Sequence, residues 1–560
     1  MLGLVILLCL VTACALPSLA EPPAAPPQKD NAVAVLFTSD VHCYYDRDIG
    51  YDGLMLYKEE LAQRYADVLL VDAGDAIQGA PLGAISGGEE PIRLMNAVGY
   101  DVATLGNHEF DYGFDVLDRL QEALSCGYIW ANFCTADGVP VYAPYKIIES
   151  GGMRIAFIGA DTPDTFSKTV IHDITDDTGV PMYDFKADAS GEALYACLQG
   201  CIDEVRGQGA DFAILIAHLG NGNDATEAFR SPEVIAHLTG LSAVIDAHSH
   251  QVCNTTAPDA DGVQVPLVQT GSYFKNVGLM LLEPDGTISV DLVSEIPAPE
   301  AWMEGMDAVE VTRGDRSRWV DADTHRLMEV IAESYAPVMN RKVGALDDDL
   351  IVRDDSGADI SRNHENGLCE LVADAYRAIS GADVSVINAG SVRNNLMAGE
   401  VTFNDVLNVL PYSNDILIAR LSGQILLDML EFGCRSMPAI SPGFPQVSGL
   451  AFTVDIGTES SVETDENGDF VGVAGAYRVR DVTVGGLPLN PERQYTIATT
   501  SFLLGGGDHF KMLADHAEII GTTQMADNIL LAEYIEVNLN GQIPSDYRQG
   551  GRIREIQTSE

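Results

Sequence analysis

The sequence predicts an α/β protein with two layered domains in tandem. Three observations predict it. Short β-branched runs alternate with helical stretches through the first half. A second alternating unit begins near Val343, after a breaker cluster and a helical stretch. The length, 560 residues, leaves room for two to four domains at about 100–200 residues each. Hydrophobic residues make up 46% and charged residues 21%, which excludes wholesale disorder and collagen. The only long apolar run is N-terminal, which excludes a polytopic membrane protein.

Met1 to Ala20 combine an apolar run with small residues, the pattern of a secretory signal peptide, although a basic start is missing. Two processing sites compete. Val11-Thr12-Ala13-Cys14 resembles a lipobox, which would attach the chain to a membrane through a lipidated Cys14. Ser18-Leu19-Ala20 suits ordinary cleavage. Residues 21–31 form a Pro-rich spacer. The first domain is expected over 32–300. Its runs Val33–Thr38, Val68–Val71, Val102–Leu105, Phe212–Ala217 and Leu241–Ile245 are short and flanked by turn residues, so they read as buried strands. Helical patterns fall at Gly53–Tyr65 and Val116–Leu124, and closing strands at Leu279–Val293. Ile296-Pro297-Ala298-Pro299 breaks the chain, and 301–344 is expected to be a linker carrying a helix at Thr324–Tyr335. The second domain, 345–555, carries helices at Gly367–Ile379 and Asn404–Leu410 and strands at Val384–Ile387 and Ile416–Leu421. It turns strand-rich past Gly449 and ends in a helix near Ala526–Leu539.

Lys and Arg number 32 against 83 Asp and Glu, a net charge of −51. Such a field repels nucleic-acid polymers and anionic membranes. An anionic small-molecule substrate then needs local positive charge, which screening over about 8 Å makes feasible. The cysteines after residue 40 are scattered without framework spacing and read as buried free thiols.

The chemistry-bearing residues follow the predicted strands of the first half. They are Asp40-Val41-His42, Gly74-Asp75, Gly106-Asn107-His108-Glu109, His218 and His248-Ser249-His250. Singly, each is a weak signal. In this order they are a strong one, and the i, i+2 spacing of Asp40/His42 and His248/His250 lets each pair face one side.

This pattern resembles the calcineurin-like metallophosphoesterases. With the second half included, the chain resembles the 5′-nucleotidase/UDP-sugar hydrolase family over about residues 32–555. The resemblance implies a four-layer sandwich joined by a helical linker to an α/β substrate-binding domain. It also implies two divalent cations, of which Zn, Mn or Co suit oxygen and imidazole ligands. Asp40, His42 and His250 would hold one, Asn107, His218 and His248 the other, and Asp75 would bridge them. His108, oriented by Asp111, would stabilise phosphoryl oxygens or protonate the leaving group. His250 stands where the family often has Asn or Gln, and Cys43 where many relatives have Gly. In the second half Asn388-Ala389-Gly390-Ser391-Val392-Arg393, Pro411-Tyr412-Ser413-Asn414 and Ser501-Phe502 through Gly507-Asp508 resemble family motifs. By that match Tyr412 and Phe502 would sandwich a nucleobase and Asn414 would touch its edge. Asp508 would bond the ribose, Arg393 would contact phosphate from the motif that opens with Asn388, and Arg362 is a second phosphate contact.

The implied activity is exported hydrolysis of nucleoside 5′-monophosphates. A 2′,3′-cyclic phosphodiester or a UDP-sugar is an alternative at the same site, and a non-catalytic nucleotide-binding surface protein a more distant one. Asp465 to Asp469 reads as a hairpin turn rather than half a calcium loop.

Overall fold

The computed structural model describes residues 29–165, 182–222, 225–299, 306–313, 316–465, 468–548 and 550–558. The apolar stretch expected to direct export, Cys14 and the spacer as far as residue 28 lie outside these residues.

The first half packs two six-stranded sheets face to face. One runs Ile288–Val293, Val277–Leu282, Asp30–Thr38, Tyr65–Asp72, Val102–Thr104, Tyr128–Ile129 in spatial order. The other runs Val252–Pro258, Gln264–Thr270, Ala243–Ile245, Phe212–His218, Met153–Asp161, Tyr145–Ser150. Period-2 alternation sorts their side chains. Val33, Val35 and Phe37 point between the sheets, where they meet Ile155, Phe157, Ile214 and Ile216. Ala34 and Leu36 point outward under the helices Gly50–Arg64 and Glu89–Val98. On the opposite face Leu194, Leu198 and Ile202 of the helix Glu192–Gly207 cover Ala156, Ile158 and Leu215. The result is helix, sheet, sheet, helix. Burial on both faces explains why these strands read as unbroken apolar runs. Gly278 lies opposite Phe37, and a Cβ there would fall 1.9 Å from the ring.

The neighbours Asp30–Thr38, Tyr65–Asp72 and Val102–Thr104 run parallel, as do Met153–Asp161, Phe212–His218 and Ala243–Ile245. Each sheet therefore brings several carboxyl ends to one rim, the place where open α/β sheets bind ligands.

The connecting segment contains more than a helix. A hairpin, Ala308–Arg313 paired with Arg316–Asp321, lies against the helix Gly50–Arg64. Arg313 donates to the fully buried Asp52 at 2.6 Å, and His325 Nδ1 lies 2.8 Å from the same carboxylate. The helix Ala322–Met339 follows, capped where Asp321 accepts from Thr324 N at 2.7 Å.

The second half begins with the strand Lys342–Leu346. Its main sheet is mixed: Pro445–Ser448, Val384–Asn388, Gln494–Thr500, Asp415–Ser422, Glu518–Ala526. The helix Gly367–Ser380 covers one face through Leu368, Leu371 and Val372. The helix Gly423–Gly433 covers the other through Leu426, Met429 and Leu430. Asn366 caps the first helix by accepting from Leu368 N, and Gly381 ends it with φ +69°. The final helical stretch continues past Asp527–Glu533 as a π-turn to Asn538. Val462–Thr464 and Phe470–Val473 pair antiparallel and Asp465 N donates to Asp469 O at 2.9 Å, while Glu466 and Asn467 lie outside the described residues. The eight described cysteines are free. Cys126, Cys197, Cys201 and Cys253 are half-buried rather than buried.

Candidate active site

The rim of the first domain gathers the donors. Asp40 and His42 leave the strand Asp30–Thr38, and Asp75 follows Tyr65–Asp72. Asn107, His108 and Asp111 follow Val102–Thr104. His218 ends Phe212–His218, while His248 and His250 follow Ala243–Ile245. Asp40, His42 and His250 form one group able to hold a cation, and Asp40, Asp75 and His218 a second. His42 Nε2 lies 3.0 Å from His250 Nε2 and 3.6 Å from Asp75 Oδ2. His218 Nε2 lies 3.1 Å from Asp75 Oδ2, and His248 Nδ1 lies 2.9 Å from Asn107 Oδ1.

This geometry fits divalent cations. His42 Nδ1 lies 3.0 Å from Gln78 O, and a hydrogen bond there leaves Nε2 as a lone pair facing a second imidazole nitrogen. Asp40 is fully buried, and its Oδ2 has no hydrogen-bond partner. Burial pushes the Asp40 carboxyl up, and the Asp75 carboxylate adds to that. Burial alone would raise Asp75 as well, but His218, His108 and His42 hold it well below the usual carboxylate range. Burial pushes His42 down to about 3, keeping its imidazole neutral and ready to ligate.

Backbone strain is concentrated here. Asp40 (φ 50°), His42 (50°), Asp75 (57°), His248 (73°) and His250 (54°) all occupy the left-handed region. Each such residue costs on the order of 1–3 kcal/mol, which the surrounding hydrogen bonds must offset. Three buried carboxylates supply those bonds. Glu109 accepts from Asp75 N, Ala76 N and Gly106 N at 2.7–2.8 Å. Asp246 accepts from Leu219 N and Gly220 N, and Asp72 from Gly74 N. Sequence reasoning gave these acids no role, although each sits within three residues of an expected ligand. Gly106 is required by space: a Cβ would fall 2.4 Å from Asp75 Oδ1 and 2.7 Å from His218.

His108 Nδ1 lies 2.7 Å from Asp111 Oδ2. Burial would lower His108, but Asp111 and Asp75 overcome it and hold the imidazole up at about 9.

A cavity of about 750 Å³ opens from these residues toward the second domain. His42, Asp75, Asn107, His108, Asp111, His248 and His250 line one end. Arg362, Asn388, Arg393, Tyr412, Asn414, Phe502 and Asp508 line the other. Asp40 and His218 lie behind it, fully buried. The second-domain residues are partly engaged with one another. Asn388 Nδ2 donates to Asp508 Oδ2 at 2.8 Å, Asn414 Nδ2 to Asp527 Oδ2 at 3.2 Å, and Arg362 Nε pairs with Asp359 at 2.8 Å. The ring partner of Tyr412 is His108, at 5.4 Å between centroids. The aromatic end of the cavity is therefore not walled by the second domain alone. Arg47, Tyr273, Lys275 and Arg353, beside the same centre, carry no motif and escaped the sequence reading.

The fold and the converging nitrogen and oxygen donors define a metallophosphoesterase, a metal-dependent phosphoric ester hydrolase. Residues 33–252 match the calcineurin-like phosphoesterase family, and residues 342–515 match the 5′-nucleotidase C-terminal domain. The chain belongs to the family that joins these two domains, the 5′-nucleotidases. It is 26% identical to the 5′-nucleotidase of Vibrio cholerae over 576 residues, covering 95% of this chain and 96% of that one. It is 25% identical to protein UshA of Escherichia coli, covering 91% of each. Its fold is similar to the crystal structure of a 5′-nucleotidase precursor from Thermus thermophilus. That likeness has a TM-score of 0.70 at 22% identity, over 94% of this chain and all of the other.

Proposed function

We propose that the chain is an exported hydrolase that cleaves nucleoside 5′-monophosphates to nucleoside and phosphate at a two-cation centre. The observation that carries this reading is the continuity of one cavity from the donor cluster to the aromatic and polar residues of the second domain. The domain division at 32–300 and 345–555 belongs to the same reading, as does export through the apolar segment before Ala20.

Asp40, His42 and His250 would hold one cation and Asn107, His218 and His248 the other, with Asp75 between the two groups. Such a pair, when bound, clamps the phosphoryl group and lowers the pKa of water near it. The residues of the chain do the rest. Arg393 and Arg362 grip phosphoryl oxygens, and Arg is suited to a forked contact with them. Tyr412 and Phe502 hold the base, Asn414 its edge, and Asn388 with Asp508 the ribose. Water oxygen bonds to phosphorus as the P–O5′ bond breaks. His108, kept protonated by Asp111, stabilises the phosphoryl oxygens or gives its Nε2 proton to the departing O5′.

Phosphate release from AMP, measured with added Mn²⁺ and with a chelator, tests this. The reading expects metal-dependent release. No turnover with any divalent metal would favour a nucleotide-binding protein without catalysis.

A further inference from the structure

A second, smaller cavity of about 210 Å³ adjoins the metal centre. It shares His42, Arg353, Arg393 and Tyr412 with the large one, but Asn388, Phe502 and Asp508 do not line it. Two further cations, Arg47 and Lys275, line only this cavity. Four cations therefore converge on one small space, in a chain with 32 bases against 83 acids.

Elsewhere such side chains are either paired with carboxylates, as Arg313 is with Asp52 and Arg552 with Asp374, or bonded to several main-chain oxygens, as Arg206, Arg478 and Lys58 are. Among the described residues, Arg47, Lys275, Arg353 and Arg393 have no carboxylate within 4.0 Å. The Arg353 guanidinium donates only to main-chain oxygens, of Arg393 at 3.0 Å and Gly357 at 3.4 Å. Arg47 is held by aromatic faces, 4.2 Å over the Tyr44 ring and 5.8 Å from that of Tyr273. Tyr273 in turn touches the rings of His42 and His250, at 5.7 and 5.5 Å. One aromatic contact chain thus places a guanidinium beside the donors of the metal centre.

What sets these four apart is their convergence on one small space beside the metal centre. Cations held beside a phosphoryl-transfer centre without acidic partners are arranged for an external anion. We propose that this cavity is a second oxyanion pocket, which holds a phosphate group other than the one undergoing hydrolysis. It rests on the proposed function for its orientation toward the metal centre. The phosphate has two sources. It is either a second phosphate carried by the substrate through an anhydride bond, or free inorganic phosphate.

The test is calorimetric titration of the full chain with Mn²⁺ bound, using pyrophosphate and orthophosphate as probes. Wild type is compared with the double variant Arg47→Gln/Lys275→Gln, in which both replaced side chains are solvent-exposed. Loss of a charge-assisted contact predicts at least about tenfold weaker pyrophosphate binding in the variant. If the first orthophosphate binds as in wild type, the pocket serves a substrate-borne phosphate. If a second orthophosphate equivalent is what disappears, it serves the free ion. Isotherms equal to wild type for both probes, or no pyrophosphate binding by wild type, overturn the pocket. Turnover separates this from the parent reading. A chain that hydrolyses neither AMP nor ADP fails as a nucleotidase, whereas the binding result still decides the pocket.

Discussion

The rings of His108 and Tyr412 stack across the boundary between the two domains, 5.4 Å between centroids and 21° from parallel. The group expected to meet the reacting phosphate and a wall of the expected base pocket are therefore one contact.

That contact separates the two aromatic residues. Phe502 lies against Gly507 and borders the apolar core of the second domain, so Phe502→Ala removes base stacking and some local packing but leaves the Tyr412–His108 stack in place. It should cost about 1–3 kcal/mol, roughly 5- to 150-fold in kcat/KM for AMP, with an aryl phosphate nearly unaffected. Tyr412→Ala also removes the support of His108 and should slow both substrates. Steady-state kinetics on the two substrates check this. Equal losses on both from Phe502→Ala would make that ring a core residue.

His108→Ala should lower kcat by about 10²–10⁴ while bound metal is retained, because its work is done in the transition state. Kinetics combined with elemental analysis after dialysis would show it. A near-normal kcat would leave His108 a structural role only.

Glu109→Ala should unfold the first domain more readily. Three buried backbone N–H groups lose their acceptor, and each orphaned donor costs about 1–3 kcal/mol. The first transition in urea should move to markedly lower concentration. An unmoved transition would mean the rim loops do not depend on this carboxylate.

Asp527 gives a pH test away from the metal centre. Burial raises its carboxyl from 3.8 to about 7, against the hydrogen bond from Asn414. A raised folded pKa means the folded state holds the proton more tightly than the unfolded chain. Its stabilisation is complete below about pH 4 and is lost as pH rises through about 7. The unfolding midpoint should fall between pH 5 and 8, and Asp527→Asn should reduce that fall. An identical pH slope in the variant would remove Asp527 as the source.

Much of this was legible in the sequence, for physical reasons. Val33–Thr38 and Phe212–Ala217 announce buried strands because both of their faces are covered, and polar ligands stand out where such runs stop. The hairpin strands Ala308–Arg313 and Arg316–Asp321 were not legible: they are mostly half-buried and Val311, Arg313 and Arg318 mix polarity without a clean period. Glu109 and Asp246 were hidden because an acid that binds backbone N–H groups looks like any surface acid until the loops fold around it. The Tyr412–His108 stack joins residues 304 positions apart by numbering (412 − 108), and only the docking of the two domains reveals it.

The central claim is that Asp75 joins two cations into one phosphatase centre. Titration of metal-free protein with Mn²⁺, while AMP hydrolysis is followed, tests it most directly. The account predicts activity that saturates at two ions per chain, and an Asp75→Asn variant that binds neither ion tightly. Full turnover in chelator, or an Asp75→Asn variant that keeps two ions and wild-type activity, would contradict it.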